Sequence, residues 1–296
     1  GENFDLPMDF TPDEAREITE RFGKIIAVEW PSGGNGNCWR LRPGGTVGIV
    51  RLRSGRTIEI TSKVPIANIF RMLELARGIE ITRLEEQVEV SSIDDLFRRL
   101  AVTLARGVER RRRIGLHRDY VSRTDRLPVV RGRLDLAATL STPWRVAPVC
   151  DYQDQTSDVI ENRILSWTLD RILRLGIFSV KGTVGTGQQS RSDIAQDRRT
   201  VMSAYRGIVS SVPPREVLPS DCTDREYTRL TADYRPLHAL CRFFLEATGP
   251  VAQQGGHDSF SFLVDIERLF ESYVGTWLAQ NRPGGLFYSM HERQSI

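Results

Sequence analysis

Lysine is almost missing from this chain. Of 41 basic residues only Lys24, Lys63 and Lys181 are lysines, so arginine carries nearly all the positive charge. A magnesium nuclease of the PD-(D/E)xK type needs an acid two positions before a lysine, to hold the ion and orient water. Those positions are Phe22, Thr61 and Ser179, none acidic; the weak variant Glu85-x-Gln87 sits in a charged turn and reads as solvated surface. Cysteine is scarce too. Cys38, Cys150, Cys222 and Cys241 lie far apart with no CxxC pair, which argues against a zinc site or a disulfide framework and fits a reducing cytoplasm. His117, His238, His257 and His291 have no metal-ligand spacing, so packing or surface roles are expected. Neither a GxSxG elbow nor a Cys–His signature occurs. The longest apolar runs, "LPVV" and "FFL", are too short to span a bilayer, and the polar opening "GENFDLPMDF" gives no sign of secretion. With Gly1 in place of Met, a processed tag or a trimmed chain is expected. No catalytic and no metal-binding residue is expected in these residues.

What is present begins with "TPDEAREITERF" at 11–22, a helix with Thr11 as N-cap and Pro12 in its first turn. Alternating apolar and polar residues then run through about 24–64, cut by "SGGNG", "PGG" and "SG". These predict short strands forming a small β-barrel-like segment. Gly34, Gly36, Gly44 and Gly45 read as turn glycines, because no GxxxxGK[ST] phosphate loop accompanies them. Helical spacing follows in "PIANIFRMLELARG", stopped at Gly78, and again from Asp94 to about Arg113. Arg110, Arg111, Arg112 and Arg113 end that second helix. They read either as a solvated terminus that complements the helix dipole or as a nucleic-acid contact.

Residues 114–150 return to strand character in three pieces: "GLHRDYVSR", "LPVVRGRLDLAATL" and "WRVAPVCDY". Arg118, Arg123, Arg126, Arg131, Arg133 and Arg145 stud them, which suits a projecting probe better than a core. In the next stretch, "CDYQDQTSDVIENR", Asp151, Asp154, Asp158 and Glu161 crowd together. They could hold a metal or start a helix. The apolar positions Val159, Ile160, Ile164, Leu165, Leu169 and Ile172 are helical, so Asp158 is expected as N-cap with Glu161 completing a capping box, worth roughly 1 kcal/mol. "KGTVGTGQQSRSD" and "SSVPPREVLPSDCTDRE" read as loops. Helices are expected at about Tyr234–Ala247 and Ser261–Gln280, the second with Phe270, Tyr273, Trp277 and Leu278 inward, and a strand is expected in "GGLFYSMHERQSI".

The motifs "KVPIANIFRMLELA", "LPVVRGRLDLAATL", "CDYQDQTSDVIENRILSWTL", "YRPLHALCRFFLE" and "FLVDIERLFESYVGTWL" resemble the McrC family, in order and spacing, over about 63–290. These are nuclease subunits of McrBC-type, modification-dependent restriction systems. The resemblance implies a partner, McrB, an AAA+ GTPase that forms hexameric rings and carries the reader of methylated DNA, with GTP and magnesium on that partner. It also implies an N-terminal finger that enters the ring's pore and stimulates hydrolysis, and a C-terminal PD-(D/E)xK domain holding its own magnesium. The chain ends about where that nuclease domain would begin, so a truncated or processed chain is expected.

The expected architecture is α+β: a β-rich N-terminal domain (1–64), a helix pair carrying an arginine-rich β finger (65–150), and a mainly helical part (151–296) leading to the nuclease. Within the finger, "VRGR" places Arg131 and Arg133 two apart and therefore on one face of a strand. They are the first residues expected to contact the ring, followed by Arg123, Arg126 and Arg145. Arg133 is alternatively a structural partner of Asp135 or Asp151. A different class of function is a stand-alone DNA-binding module using the barrel and the Arg110–Arg113 edge, although a net charge of +3 is modest for that role.

Overall fold

The computed structural model describes residues 4–5, 10–23, 25–32, 38–61, 65–77, 93–142, 144–175, 177–178, 188–248 and 262–281. Within them the chain is α+β, with eight α-helices and three small antiparallel sheets. Helix α1 (Pro12–Phe22) starts as its sequence dictates. The Thr11 hydroxyl accepts from the Glu14 amide at 3.2 Å, and the Glu14 carboxylate accepts from the Thr11 amide at 3.0 Å, a closed capping box.

The strands that follow do not close a barrel among the described residues. β1 (Phe4–Asp5), β2 (Ile26–Glu29) and β3 (Arg40–Pro43) form one sheet in the order β1-β3-β2. β4 (Thr46–Arg51) and β5 (Thr57–Ile60) form another, completed by β9 (Phe262–Asp265) from the far end of the chain. The period-2 alternation of this sheet divides two cores. Val47 and its register partner Val264 face the helical core, whereas Val50 and Leu263 join Phe10, Ile18 and Phe22 in an N-terminal core. Thus β9 crosses the division expected at 64/65.

The helical body packs α2 (Ile66–Arg77), α3 (Ile93–Ile114), α5 (Ile160–Arg174), α6 (Gln188–Val209), α7 (Tyr234–Thr248) and α8 (Ile266–Gln280) around one apolar cluster. Leu96, Phe97, Leu100 and Leu104 of α3 lie at helical spacing on its buried stripe, and Phe97 stacks on Phe243 of α7. Between α3 and α5 stands a third sheet: β6 (Asp119–Arg126), β7 (Arg133–Asp135) and β8 (Val149–Thr156), in the order β6-β8-β7.

Four expectations change. Residues 188–209, read partly as loop, form the 22-residue helix α6; its apolar positions Ile194, Val201, Ala204 and Ile208 are buried, and the polar composition hides them. Leu136–Leu140 is a short helix, α4, capped by Asp135, whose carboxylate accepts from the Ala138 amide at 2.9 Å. The last helix begins at Ile266 with Asp265 as N-cap, and on it Phe270, Trp277 and Leu278 are exposed rather than inward. Lastly, Asp158 is not an N-cap. The cap position is Val159, with no side-chain cap bond. Asp158 instead accepts from Arg163 Nε at 2.6 Å and lies 3.4 Å from Arg215, while Glu161 pairs with Arg225. Both carboxylates are therefore engaged by arginine guanidiniums rather than by the backbone amides of the first helical turn. Gly78, Glu85, Gln87, His257, His291 and the strand expected in 284–296 lie outside the described residues.

The Asp158–Arg163 pair is mostly shielded from solvent, and the guanidinium bond, with the opposing effect of burial smaller, holds the carboxyl below its ordinary value of 3.8. Its contribution is present above pH 3.8 and lost as the pH falls through the lowered native value. Asp158→Ser and Asp158→Ala are therefore expected to lose stability equally, by about 1 kcal/mol. Arg163→Met should lose as much, and the double variant little more. Urea unfolding checks this; stability retained in Asp158→Ser alone would restore the cap.

Candidate functional site

The three-stranded sheet packs mainly on itself. Every residue of β6 from Asp119 to Asp125 is exposed, and its extended contacts are with β8 alone. What fixes this finger to the body is a buried polar cluster at its base. Asn162, with no exposed surface, donates from Nδ2 to the Ser157 carbonyl at 2.7 Å and to the His117 carbonyl at 2.8 Å. Its Oδ1 accepts from the Tyr234 hydroxyl at 2.5 Å, and that hydroxyl accepts from the His117 amide at 2.9 Å. One amide thus joins the chain just before β6 and just after β8 to helices α5 and α7. Sequence reading overlooked Asn162, whose only signal is a polar residue between apolar helix positions.

His238 supports the same corner. Its Nε2 lies 3.0 Å from the Glu161 carbonyl and must donate there, which leaves Nδ1, at 2.9 Å, to accept from the Tyr227 hydroxyl. Neutral imidazole satisfies both contacts. Burial is the main reason its pKa falls to about 4. The expected packing role holds for His238.

The arginines of the finger separate into three groups. Arg126 is half-buried and braces the turn, donating to the Ala147 and Ala138 carbonyls at 3.0 Å each and to the Thr142 hydroxyl. Arg123 and Arg131 share Asp154, at 3.5 and 3.3 Å, and the Arg131 guanidinium lies 4.5 Å from the Tyr152 ring centre. Arg133 and Arg145 are exposed, and among the described residues neither guanidinium has a partner. Asp135 and Asp151 do not pair with Arg133, because Asp135 caps α4 and Asp151 accepts from Thr124 at 2.6 Å. Nor do Arg131 and Arg133 share a strand face. Gly132 between them has φ +71° and a Cβ there would lie 2.3 Å from the Asp151 carbonyl oxygen, so the strand breaks at that residue and only glycine fits.

A second feature was missed: the finger is greasy as well as basic. Of fifteen large exposed hydrophobic residues among those described, eight lie between 120 and 146. Trp144 (76%), Leu140 (70%), Val129 (74%) and Val146 (100%) stand out. Monomers rarely leave large apolar patches in water, so this stretch is a candidate contact surface. The acids Asp151, Asp154, Asp158 and Glu161 do not converge on a common point, and no group of three metal-ligating side chains occurs among the described residues.

The basic end of α3 is also divided. Arg111 turns inward, bonded to Asp233 at 3.1 and 3.2 Å and to the Leu230 carbonyl at 3.2 Å, with its guanidinium 4.7 Å from the Tyr234 ring centre. Arg112 grips Glu109 through two bonds of 2.9 and 2.7 Å. Arg110 and Arg113 remain on the surface. Among the described residues, no helix is long and apolar enough to cross a membrane.

This is a helical body that holds out a small exposed sheet from a rigid polar base. The profile of the family described as McrBC 5-methylcytosine restriction system component matches residues 41–294, and the chain belongs to that family. No curated protein matches it. Among solved structures it resembles a chain in the cryo-EM structure of the Thermococcus gammatolerans McrBC complex, with a TM-score of 0.56 and 17% identity over 95% of this chain and 85% of that one. It also resembles a chain in the refined half-complex from a tetradecameric assembly of Thermococcus gammatolerans McrB AAA+ hexamers with bound McrC. There the TM-score is 0.54 and the identity 17%, over 93% of this chain and 61% of that one.

His238 gives the cluster a pH signature. Its native pKa near 4 lies below the ordinary 6.5, so the unfolded chain binds more protons between those values. Stability is complete above pH 6.5 and falls as the pH drops toward 4. A loss on the order of 2 kcal/mol is expected across that window. His238→Gln should lower stability at neutral pH and flatten the dependence, as read by urea midpoints at several pH values. Asn162→Ala is expected to cost about 3 kcal/mol, since it strands two carbonyls and a hydroxyl in the interior.

Proposed function

We propose that this chain is the McrC-like subunit of a modification-dependent restriction complex acting on methylcytosine-containing DNA in the cytoplasm. Its β6–β8 finger binds in the pore of a McrB-type AAA+ GTPase hexamer and raises nucleotide hydrolysis there. The body tethers a DNA endonuclease domain. GTP and magnesium belong to the partner ring, and a second magnesium site to the nuclease.

The observation that carries this reading is an exposed, partly apolar finger held at its base by the hydrogen bonds of a fully buried asparagine, Asn162. A ring pore needs a rigid insert whose contact surface is already formed, because ordering a flexible one on binding would consume affinity. Family membership supports the restriction setting, and the likeness to structures of McrB hexamers with bound McrC supports the ring as partner.

The roles on the finger follow from exposure. Trp144 and Leu140 are the anchors, because large exposed aromatic and aliphatic groups gain most from desolvation at an interface. Arg133 and Arg145 are the cations free to meet acidic groups on the ring and to reorganise contacts beside the nucleotide. Arg123 and Arg131 are occupied by Asp154, and Arg126 holds the turn together.

Trp144→Ala with Leu140→Ala should weaken binding to the partner ring by about 2 kcal/mol or more, roughly thirtyfold. Arg133→Ala with Arg145→Ala should leave binding within a few-fold and lower stimulated GTP hydrolysis at least about tenfold. Arg126→Ala should impair both through a collapsed turn, visible as lost thermal stability. Pull-down with the AAA+ partner and GTP turnover measure these effects. Full binding and stimulation in the folded four-site variant would reject the finger as the contact.

A further inference from the structure

Helices α3 and α6 lie side by side, and an open groove of about 650 Å³ runs between them, away from the finger residues. Its walls carry Arg106, Arg110 and Arg113 from α3 and Arg199 from α6, with Gln196 and Ser203 beside them. The three α3 arginines fall at spacings of four and three residues, which places them in one stripe along the helix. Glu109 is the one carboxylate in the lining, and Arg112 already grips it through two bonds. Arg113 lies 3.5 Å from the same carboxylate with its side chain 76% exposed. Arg199 touches only the Ala195 carbonyl of its own helix, at 3.3 Å, and Arg110 has no partner among the described residues.

We infer that this groove is a binding surface for the phosphate backbone of DNA. Arg110, Arg113 and Arg199 line it beside one carboxylate, Glu109, which Arg112 already grips, so the local field is positive although the net charge of the chain is small. Guanidinium forks match phosphate oxygens, and the Ser203 hydroxyl and Gln196 amide add neutral donors. From Arg106 to Arg113 the helix rises about 10 Å, which spans about three nucleotide steps of one strand at ~3.4 Å each. The small residues Ala105 and Ala204 belong to its lining and leave room for a backbone to approach. Nothing in the groove reads bases, and the contact is indifferent to sequence and to methylation. Its role in a restriction complex is to keep the duplex close to the body while other parts select and cut.

The structure redraws the sequence-level alternative: of the Arg110–Arg113 run only Arg110 and Arg113 face the groove, and Arg106 and Arg199 complete it. The test is fluorescence anisotropy of a short labelled duplex with the full chain, across a salt series. Binding should weaken steeply as salt rises, with equal affinity for methylated and unmethylated duplex. Arg110→Gln with Arg199→Gln should reduce the magnitude of the log–log salt slope by about 2 and weaken binding about tenfold or more near ~0.1 M salt. Circular dichroism checks that the variant keeps its helices. Arg16→Gln with Arg268→Gln, which removes the same charge from α1 and α8, should change the slope little. Three results would each overturn the inference: no binding by the unaltered chain at low salt, an equal loss in both double variants, or polyglutamate competing as well as DNA. Stimulation of an AAA+ partner should be untouched by the groove variant, so this test and that of the finger fail separately.

Discussion

Asn162 holds together the parts of this protein that must not move. A primary amide has two donor hydrogens and an acceptor oxygen, and here both hydrogens and the oxygen are used within a fully buried site. Its two carbonyl partners lie on opposite sides of the finger in sequence, at His117 and Ser157, yet they meet across one side chain. The finger makes few contacts with the body beyond its base, so its orientation depends on this junction. An aliphatic residue of similar size would fill the space and leave three polar groups unpaired, which is why the site requires an amide.

The same corner recruits its surroundings. Tyr234 bonds to Asn162 and to the His117 amide, and its ring lies beneath the guanidinium of Arg111. His238 packs beside it and ties the start of α5 to Tyr227. Glu161 pairs with Arg225, and Asp158 with Arg163 of α5 and with Arg215, so these two acids are already matched by arginines. Charges that looked available in one dimension are therefore spent in three. The surface that remains for partners lies where this network does not reach: Arg133, Arg145 and the apolar side chains around Trp144 on the finger, and Arg110 and Arg199 between α3 and α6.

Helix α3 connects these two surfaces. Its buried stripe from Leu96 to Val108 fixes it in the core, its exposed stripe borders the groove, and a short link after Ile114 leads directly into β6. The N-terminal part is joined to the body by another route, the β4–β9 pairing, in which a strand just ahead of α8 completes a sheet begun more than two hundred residues earlier. One side of that strand packs into each core. A change there would be felt on both sides.

Local chemistry made much of this legible from sequence alone. Thr11 and Pro12 announced α1, the apolar periodicity of α2, α3, α5 and α7 fixed their extents to within a few residues, and alternation with Gly turns located β2 to β5. The quoted motifs carried the family resemblance. Those signals work because capping and amphipathic spacing act over a few residues. What the tertiary structure decided was partnership. Asp158 became an ion-pair partner, since Arg163 from the first turns of α5 and the distant Arg215 converge on it, and the approach of Arg215 has no local signal. The finger arginines divided by which of them lay near Asp154, a cross-strand matter set by register. Leu263 and Val264 became a strand because β4 offered an open edge, and α6 was hidden by a polar composition whose few apolar residues matter only when another helix lies against them. Sequence determined which segments could be helix or strand; the burial of polar groups against distant neighbours determined which side chains were left to meet anything else.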